Sequence, residues 1–267
     1  MKIVCLADKS PQNDRILAAL DECFDVSLII ATEYVSSKKR KRLSLVKVIK
    51  KGVEKVYFSV RSRRPISERV EGFLDDLDER QVAALQAKRV VLKSSEINEK
   101  STQELIASHE PDYLFVSGAP ILKKVIFALP KHGAVNLHYG IAPDYRGQHT
   151  LAFPFLAGDF RKLGATLHFI DEGIDTGGAL AWIYPEVGAQ DSLEEVEAKV
   201  TTLAAKVIVK VLADGPLPKD IQRSRKLEGQ EIRYEDYGIF QDLRFMFRKK
   251  RKEKNAVLSE ERIVKNF

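Results

Sequence analysis

The sequence predicts an α/β fold: a Rossmann-like, mostly parallel sheet with a small C-terminal extension. Three observations carry this expectation. The chain opens with an apolar run, a stretch of helical spacing and a second apolar run, the order of parallel strands joined by a crossover helix. Short apolar runs go on alternating with helical patterns as far as residue 138. A long helix opened by a capping box then closes the regular part of the chain.

KIVCLA (2–7) is a short apolar run ending in Asp8-Lys9-Ser10-Pro11, so it reads as a buried strand. From Asp14 to Phe24, Ile16, Leu17, Leu20 and Cys23 recur at helical spacing, and DVSLIIA (25–31) is the second strand. Residues 36–64 interrupt the pattern with Leu43, Val46, Ile49 and Val53 among lysines, a basic amphipathic helix ended by Pro65. Residues 66–86 read as another helix, RVVLK (89–93) as a strand, and Ser101 to His109 as a helix capped by Ser101 or Thr102. PDYLFVSG (111–118) is a strand, Ile121 to Leu129 a helix stopped by Pro130, and GAVNLH (133–138) a strand. A polar loop follows at 139–150, then mixed helix and turn at 151–159. GATLHFI (164–170) alternates like a strand, DEGIDTGG (171–178) is a glycine-rich loop, and ALAWIYPEV (179–187) is a further strand. Ser192-Leu-Glu-Glu195 opens a helix to about Leu212, and Gly215-Pro216 ends it. Residues 217–267 are polar and basic, without clear periodicity.

A hydrophobic content of 44% with 31% charged residues suits a chain that buries a core. The start lacks the layout of a signal peptide, and no apolar run approaches the roughly 18 residues of a membrane span. Secreted, collagen-like, disordered and transmembrane classes are therefore not expected. Cys5 and Cys23 are too few for a disulfide framework or a zinc cluster, and both read as buried thiols of a reducing compartment. No metal site is expected. The net charge of +6 is uneven: residues 38–64 carry +11, residues 244–254 carry +6, and the remainder is acidic at −11.

The chemistry-bearing stretch runs from Asn136 to Gly178. Asn136 and His138 stand two apart at a strand end, so both side chains point to one side. In open α/β sheets, ligands sit outside such carboxyl ends. An amide donor beside an imidazole suits a reaction that develops an oxyanion next to a proton transfer, and Asp175 from another loop can orient the imidazole. On spacing alone, a turn-capping Asn136 and a surface His138 remain the alternative.

The pattern Asn136-x-His138, Pro143, Arg146-Gly147, Gly164-Ala-Thr166-Leu-His168 and Asp175-Thr-Gly177 closely resembles the folate-dependent formyltransferase family. That family includes glycinamide ribonucleotide, methionyl-tRNA and nucleotide-sugar N-formyltransferases. The resemblance covers about residues 89–213 and takes in Asn98 and Pro111-Asp112 upstream. It implies the formyltransferase fold, 10-formyltetrahydrofolate as co-substrate, no metal, and a primary amine as acceptor. Asn136, His138 and Asp175 are the implied catalytic residues. Asn136 would donate to the oxyanion, His138 would polarise the formyl oxygen or handle the amine proton, and Asp175 would fix the histidine. The pterin is implied to lie against two loops, at Gly118, Ala119, Ile121 and Leu122 and at Asp171, Glu172 and Ile174.

With a weak boundary near residue 188, after the last strand, the chain divides into an expected catalytic unit over 1–188, with the basic insertion at about 36–64, and a C-terminal helix and basic tail over 189–267. ADKSPQND after the first strand has no glycine-rich phosphate loop, and only 52 residues follow Gly215. Tyr139 replaces the usual small residue or proline after the histidine, and Gln148-His149-Thr150 also departs from the pattern. By elimination the expected acceptor is an amino group of a nucleotide-linked sugar, or another amine in surface-polysaccharide or secondary metabolism. A formyltetrahydrofolate hydrolase and a glycinamide ribonucleotide formyltransferase are the alternatives within the family. A basic membrane- or nucleic-acid-binding module on an inactive scaffold is the alternative of another class. The insertion 38–64 reads as a solvated helix, a helix on an anionic membrane surface, or a nucleic-acid or nucleotide-diphosphate contact, with nucleic acid not expected because only Tyr57 and Phe58 could stack bases there. A cytoplasmic enzyme, peripheral at the inner membrane surface through 38–64, and a homodimer complete the expectations.

Overall fold

Strand β1 (Lys2–Asp8) is apolar without interruption because both its faces are covered. Ile3, Cys5 and Ala7 join one core cluster, and Val4 and Leu6 join the cluster on the other face. In the computed structural model the described residues are 1–33, 52, 53, 56, 70–218, 221, 230–233, 236, 238–246 and 257–266. The basic helix expected at 36–64, apart from residues 52, 53 and 56, and the tail at 247–254 lie outside them.

Helix α1 (Pro11–Cys23) begins earlier than the apolar spacing suggests. Ser10 Oγ caps it by accepting the Asn13 N–H at 3.3 Å, and Pro11 sits at the first position, where no amide hydrogen is needed. Cys5 is buried as expected, but Cys23 is exposed. It is the last residue of α1, past the turn that covers Ile16, Leu17 and Leu20. The chain returns through β2 (Asp25–Glu33), parallel to β1.

Of the helix expected over 66–86, residues 66–69 lie outside the described residues; from residue 70 onward Val70 is helical, a 3-10 turn follows at Glu71–Phe73, and helix α2 (Glu79–Ala87) comes after a break. Leu74 is extended, and Asp78 starts α2 by accepting the Gln81 N–H at 2.8 Å while its own N–H reaches Gln81. After β3 (Arg89–Lys93), helix α3 (Lys100–Ser108) starts one residue before Ser101. Neither Ser101 nor Thr102 caps it, because Thr102 is inside the helix and donates to the Glu96 carbonyl at 2.9 Å. The helix expected over 121–129 shrinks to α4 (Lys124–Phe127). Asn98 binds the Ile121 carbonyl at 2.9 Å and the Lys123 N–H at 2.7 Å, which takes both groups away from a helical ladder.

The remaining elements of the main sheet are β4 (Tyr113–Ser117), β5 (Ala134–His138), β7 (Ala165–Phe169), β8 (Ala179–Tyr184) and β12 (Arg262–Lys265). The eight strands run in the order β12-β8-β7-β5-β4-β1-β2-β3. From β3 to β5 the pairs are parallel; from β5 to β12 they are antiparallel. Strand order therefore reverses beside β1, and a crevice opens at the carboxyl ends of β1, β4 and β5.

Four short strands lie off the main sheet: β6 (Tyr145–Gly147) pairs with β10 (Gln230–Ile232), and β9 (Val187–Gly188) with β11 (Val257–Ser259). Helix α5 (Ala152–Ala157) follows β6 in the chain. Helix α6 (Leu193–Ala213) has the expected capping box, with Ser192 and Glu195 each bonding the other's backbone N–H. It packs on α1, burying Val196, Val200, Ile208 and Val211. The segment past residue 217, unpatterned to the eye, holds β10, α7 (Ile239–Met246), β11 and the edge strand β12.

Phe115 on β4 is fully buried beside Cys5, Ala7 and the α6 side chains of the first core cluster. Phe115→Ala is expected to cost about 3–5 kcal/mol through the cavity it leaves. Urea unfolding midpoints of the two proteins at equal slope would measure it.

Candidate active site

β5 ends where the parallel and antiparallel parts of the sheet meet, and it carries Asn136 and His138 on one side. The antiparallel neighbour β7 sets Asn136 opposite His168 and His138 opposite Thr166. A register slip between β7 and β8 falls at Leu167/His168, a bulge that turns a side chain at the sheet end. The loop after β7 brings Asp175 back over these residues. Asp175 takes a left-handed backbone (φ 48°), which aspartate tolerates better than most residues.

The four side chains form one cluster. Asp175 Oδ2 lies 3.4 Å from His138 Nδ1, and Oδ1 lies 3.4 Å from both His168 Nε2 and Asn136 Nδ2. Asn136 Nδ2 is also 3.1 Å from His168 Nε2. Backbone acceptors fix the tautomers. His138 Nε2 is 2.9 Å from the Tyr145 carbonyl, and His168 Nδ1 is 2.8 Å from the Phe169 carbonyl. A carbonyl only accepts, so those nitrogens carry the hydrogens. The other two, His138 Nδ1 and His168 Nε2, then present lone pairs to a single carboxylate. One proton on either would turn a repulsive contact into a charge-assisted hydrogen bond.

Burial pushes His138 below the usual imidazole range, against the pull of Asp175 and the Tyr145 carbonyl. Burial alone would raise Asp175. Once the imidazoles are protonated, a hydrogen bond donated by His168, the two imidazolium charges and the Gly147 N–H at 2.9 Å together outweigh it and hold the carboxyl at about 2. A proton entering the cluster is thus held by an imidazole nitrogen, with Asp175 as its counter-ion.

The loops are tied to each other. Arg146 donates to the Ile174 carbonyl at 2.8 Å, and Trp182 Nε1 donates to the Ala142 carbonyl at 2.7 Å. Thr166 Oγ1, fully buried, donates to the Gly140 carbonyl at 2.7 Å and accepts the Ala142 N–H at 3.0 Å. Tyr139 OH meets Thr201 Oγ1 of α6 at 2.9 Å, which anchors the residue after His138.

Of the two loops expected to hold the pterin, that after β4 places Gly118 at φ +65°, with Asp8 Oδ2 2.5 Å from where a Cβ would stand. Ala119 is half-buried, Ile121 is 74% exposed, and Leu122 is packed into the second core cluster. In the other loop Glu172 is exposed and Ile174 is 38% exposed. Asp171 Oδ1 is taken by the Gly173 N–H at 2.9 Å and by Thr176 Oγ1 at 2.6 Å, so Asp171 shapes its own loop. Exposed Ile121 and Ile174 at loops on either side of β5 suit a flat, partly apolar ligand. Among the described residues no His, Cys, Asp and Glu group is arranged to hold a metal ion. No helix of the described residues is long and apolar enough to cross a membrane.

His168 is the site residue that motif reading left without a role. Its signal was present: Thr166-x-His168 repeats the two-residue spacing of Asn136-x-His138 on the strand that pairs with it. Arg146, Gly147 and β10 had no assigned part either.

The chain matches the family model for formyl transferase over residues 1–212. It is 32% identical over 117 residues to a methionyl-tRNA formyltransferase of Alkaliphilus metalliredigens, which is 43% of this chain and 37% of that protein. It is 33% identical over 128 residues to one from Marinobacter nauticus, 46% and 40% of the two chains. The matched stretch thus spans about two-fifths of the length of these curated relatives. Among solved structures, phosphoribosylglycinamide formyltransferase from Streptococcus pneumoniae TIGR4 superposes with a TM-score of 0.54 at 17% identity, covering 80% of this chain and 98% of that one. A sugar N-formyltransferase from Shewanella sp FDAARGOS_354 gives 0.54 at 14% identity, covering 93% and 87%. These likenesses carry the fold: a mixed α/β architecture on a large, mostly parallel sheet. The family match runs through β5, β7 and both loops around Asp175, and the chain belongs to the formyl transferase family.

Proposed function

We propose that the protein transfers a formyl group from 10-formyltetrahydrofolate to a primary amine, and that the amine belongs to a nucleotide-linked sugar. The observation that carries the reaction is the proton-poor cluster: two imidazole lone pairs facing one ionised carboxylate, beside an amide donor. The donor supplies the formyl carbon. A new bond forms from the amine nitrogen to that carbon, the bond to the donor nitrogen breaks, and the amine's proton ends on the donor nitrogen.

The residues manage charge and proton between these events. Asn136 donates to the formyl oxygen as it gains negative charge. Its amide nitrogen rests against His168 Nε2 and Asp175, and a proton taken up at His168 Nε2 removes that acceptor and frees the amide hydrogen. His138 Nδ1 is the second place for the amine's proton, with Asp175 stabilising the cation. Asn136→Ala is expected to lower turnover by about 10²–10³, the usual cost of one oxyanion donor. Steady-state rates at saturating donor would measure it.

The acceptor reading rests on the first crossover. Ser10 caps α1, and Asp8 accepts from Asn13 Nδ2 at 2.6 Å, so a carboxylate lies at the mouth where a terminal phosphate would need N–H groups. This disfavours a simple ribonucleotide phosphate there. The likeness to the Shewanella sugar N-formyltransferase and to a 4-N formyltransferase from Francisella tularensis supports the sugar. The test is a panel of nucleotide-linked 3- and 4-amino sugars, glycinamide ribonucleotide and charged methionyl-tRNA, each with 10-formyltetrahydrofolate. A one-formyl mass gain on a sugar supports the reading. A gain on either of the others, or formate release with no amine present, overturns it.

A further inference from the structure

Two residues of β6 bond the reacting cluster, and the one between them ties the Asp175 loop. The Tyr145 carbonyl accepts from His138 Nε2 at 2.9 Å. Arg146 binds the Ile174 carbonyl, next to Asp175, at 2.8 Å. The Gly147 N–H donates to Asp175 Oδ2 at 2.9 Å. A segment this short does not hold its own shape, because its backbone groups need a partner strand.

That partner is β10, the one strand paired with β6 among the described residues. The pairing is parallel, with Gln230 opposite Tyr145, Glu231 opposite Arg146 and Ile232 opposite Gly147. The Ile232 carbonyl also accepts the Gln148 N–H at 2.8 Å. The two backbones are so close that a Cβ on Gly147, at φ +95°, would stand 2.2 Å from the Ile232 oxygen. Ile232 is 1% exposed and anchors the strand. These residues lie beyond position 212, where the family match ends.

We propose that Gln230–Ile232, from the C-terminal extension, is a positioning element of the catalytic centre: it holds β6 in register, and through β6 it sets His138 and Asp175. None of its residues touches the reacting atoms, so it acts through the loop. The proposal rests on the reading of His138 and Asp175 as the reacting pair, and its test includes an arm that needs no turnover.

The full-length chain would be prepared with Gln230→Gly, Glu231→Gly and Ile232→Gly together, which keeps the length and leaves β12 free to pair. A second variant, Ile232→Ala, removes only the anchor. Long-range proton–nitrogen spectra of the imidazoles report the tautomers of the five histidines without substrate. His168, held by the Phe169 carbonyl on β7, is the internal reference for an intact sheet. The expected result is a locked Nε2–H tautomer of His138 in the parent, lost in the triple variant and partly lost in Ile232→Ala, with His168 locked in all three. Turnover falls with it, by about 100-fold in the triple variant, the scale of a small misplacement of catalytic groups. His138 still locked in both variants would overturn the proposal. Loss of both histidine locks in both variants would overturn it too, because the strand would then hold the whole fold and not the loop. If the parent transfers formyl to no amine, the functional reading fails while the tautomer result still decides this one.

Discussion

Asp175→Asn is expected to lower turnover about 10³-fold while the fold persists, within the range for loss of proton-transfer catalysis. The carboxylate faces two imidazole nitrogens, and an uncharged amide cannot stabilise the cation that either would become. The same substitution has a signature in stability. Asp175 is held at about 2, below its value in an unfolded chain, so it contributes stability that is fully present above about pH 4 and is lost as pH falls through about 2. The shift corresponds to about 2 kcal/mol for a group shielded as well as this one. Urea unfolding of parent and variant between pH 5 and pH 2 should show the parent losing more stability over that window. Parallel curves would mean that Asp175 is not held ionised by the two histidines.

His138→Ala is expected to reduce turnover by about 10³–10⁴, with donor binding unchanged within about twofold. Burial keeps His138 toward its neutral form, which is the form able to take up a proton. Its folded value is lowered, so it favours the folded state above the ordinary imidazole range, and this contribution is lost as pH falls. Turnover should decline on the acid side as His138 is protonated before the reaction. His138→Ala should remove that acid limb along with most of the rate. A residual rate with an unchanged acid limb would assign the limb to another group.

The parallel half of the fold was legible because buried parallel strands read as unbroken apolar runs, and β1, β2 and β4 have that form. The capping box at Ser192 named the start of α6 to the residue. Local side-chain bonds that compete with helix formation were not legible. Asn98 truncates the helix near Ile121, and Asp78 resets the helix before α2, through contacts that periodicity does not carry.

In the site, types and spacing singled out Asn136, His138 and Asp175, the family resemblance implied their roles, and the structure brings all three within 3.4 Å contacts. His168 needed the register of β7 against β5, a non-local quantity. The Gln230–Ile232 strand is three residues long and pairs across some eighty-five positions, so no local pattern announces it. Leu122, which the resemblance implies among the pterin-binding residues through its backbone, has its side chain packed into the second core cluster.

The central claim is that the cluster around Asp175 moves a formyl group onto an amine. A single-turnover experiment tests it most directly. Enzyme in excess over 10-formyltetrahydrofolate is mixed with the amine found in the acceptor screen, and the formylated product is quantified by mass for the parent, His138→Ala and Asp175→Asn. The account predicts one formyl group transferred per donor by the parent, and rates about 10³-fold lower in both variants that bind donor as well as the parent. Equal rates in all three proteins would contradict it.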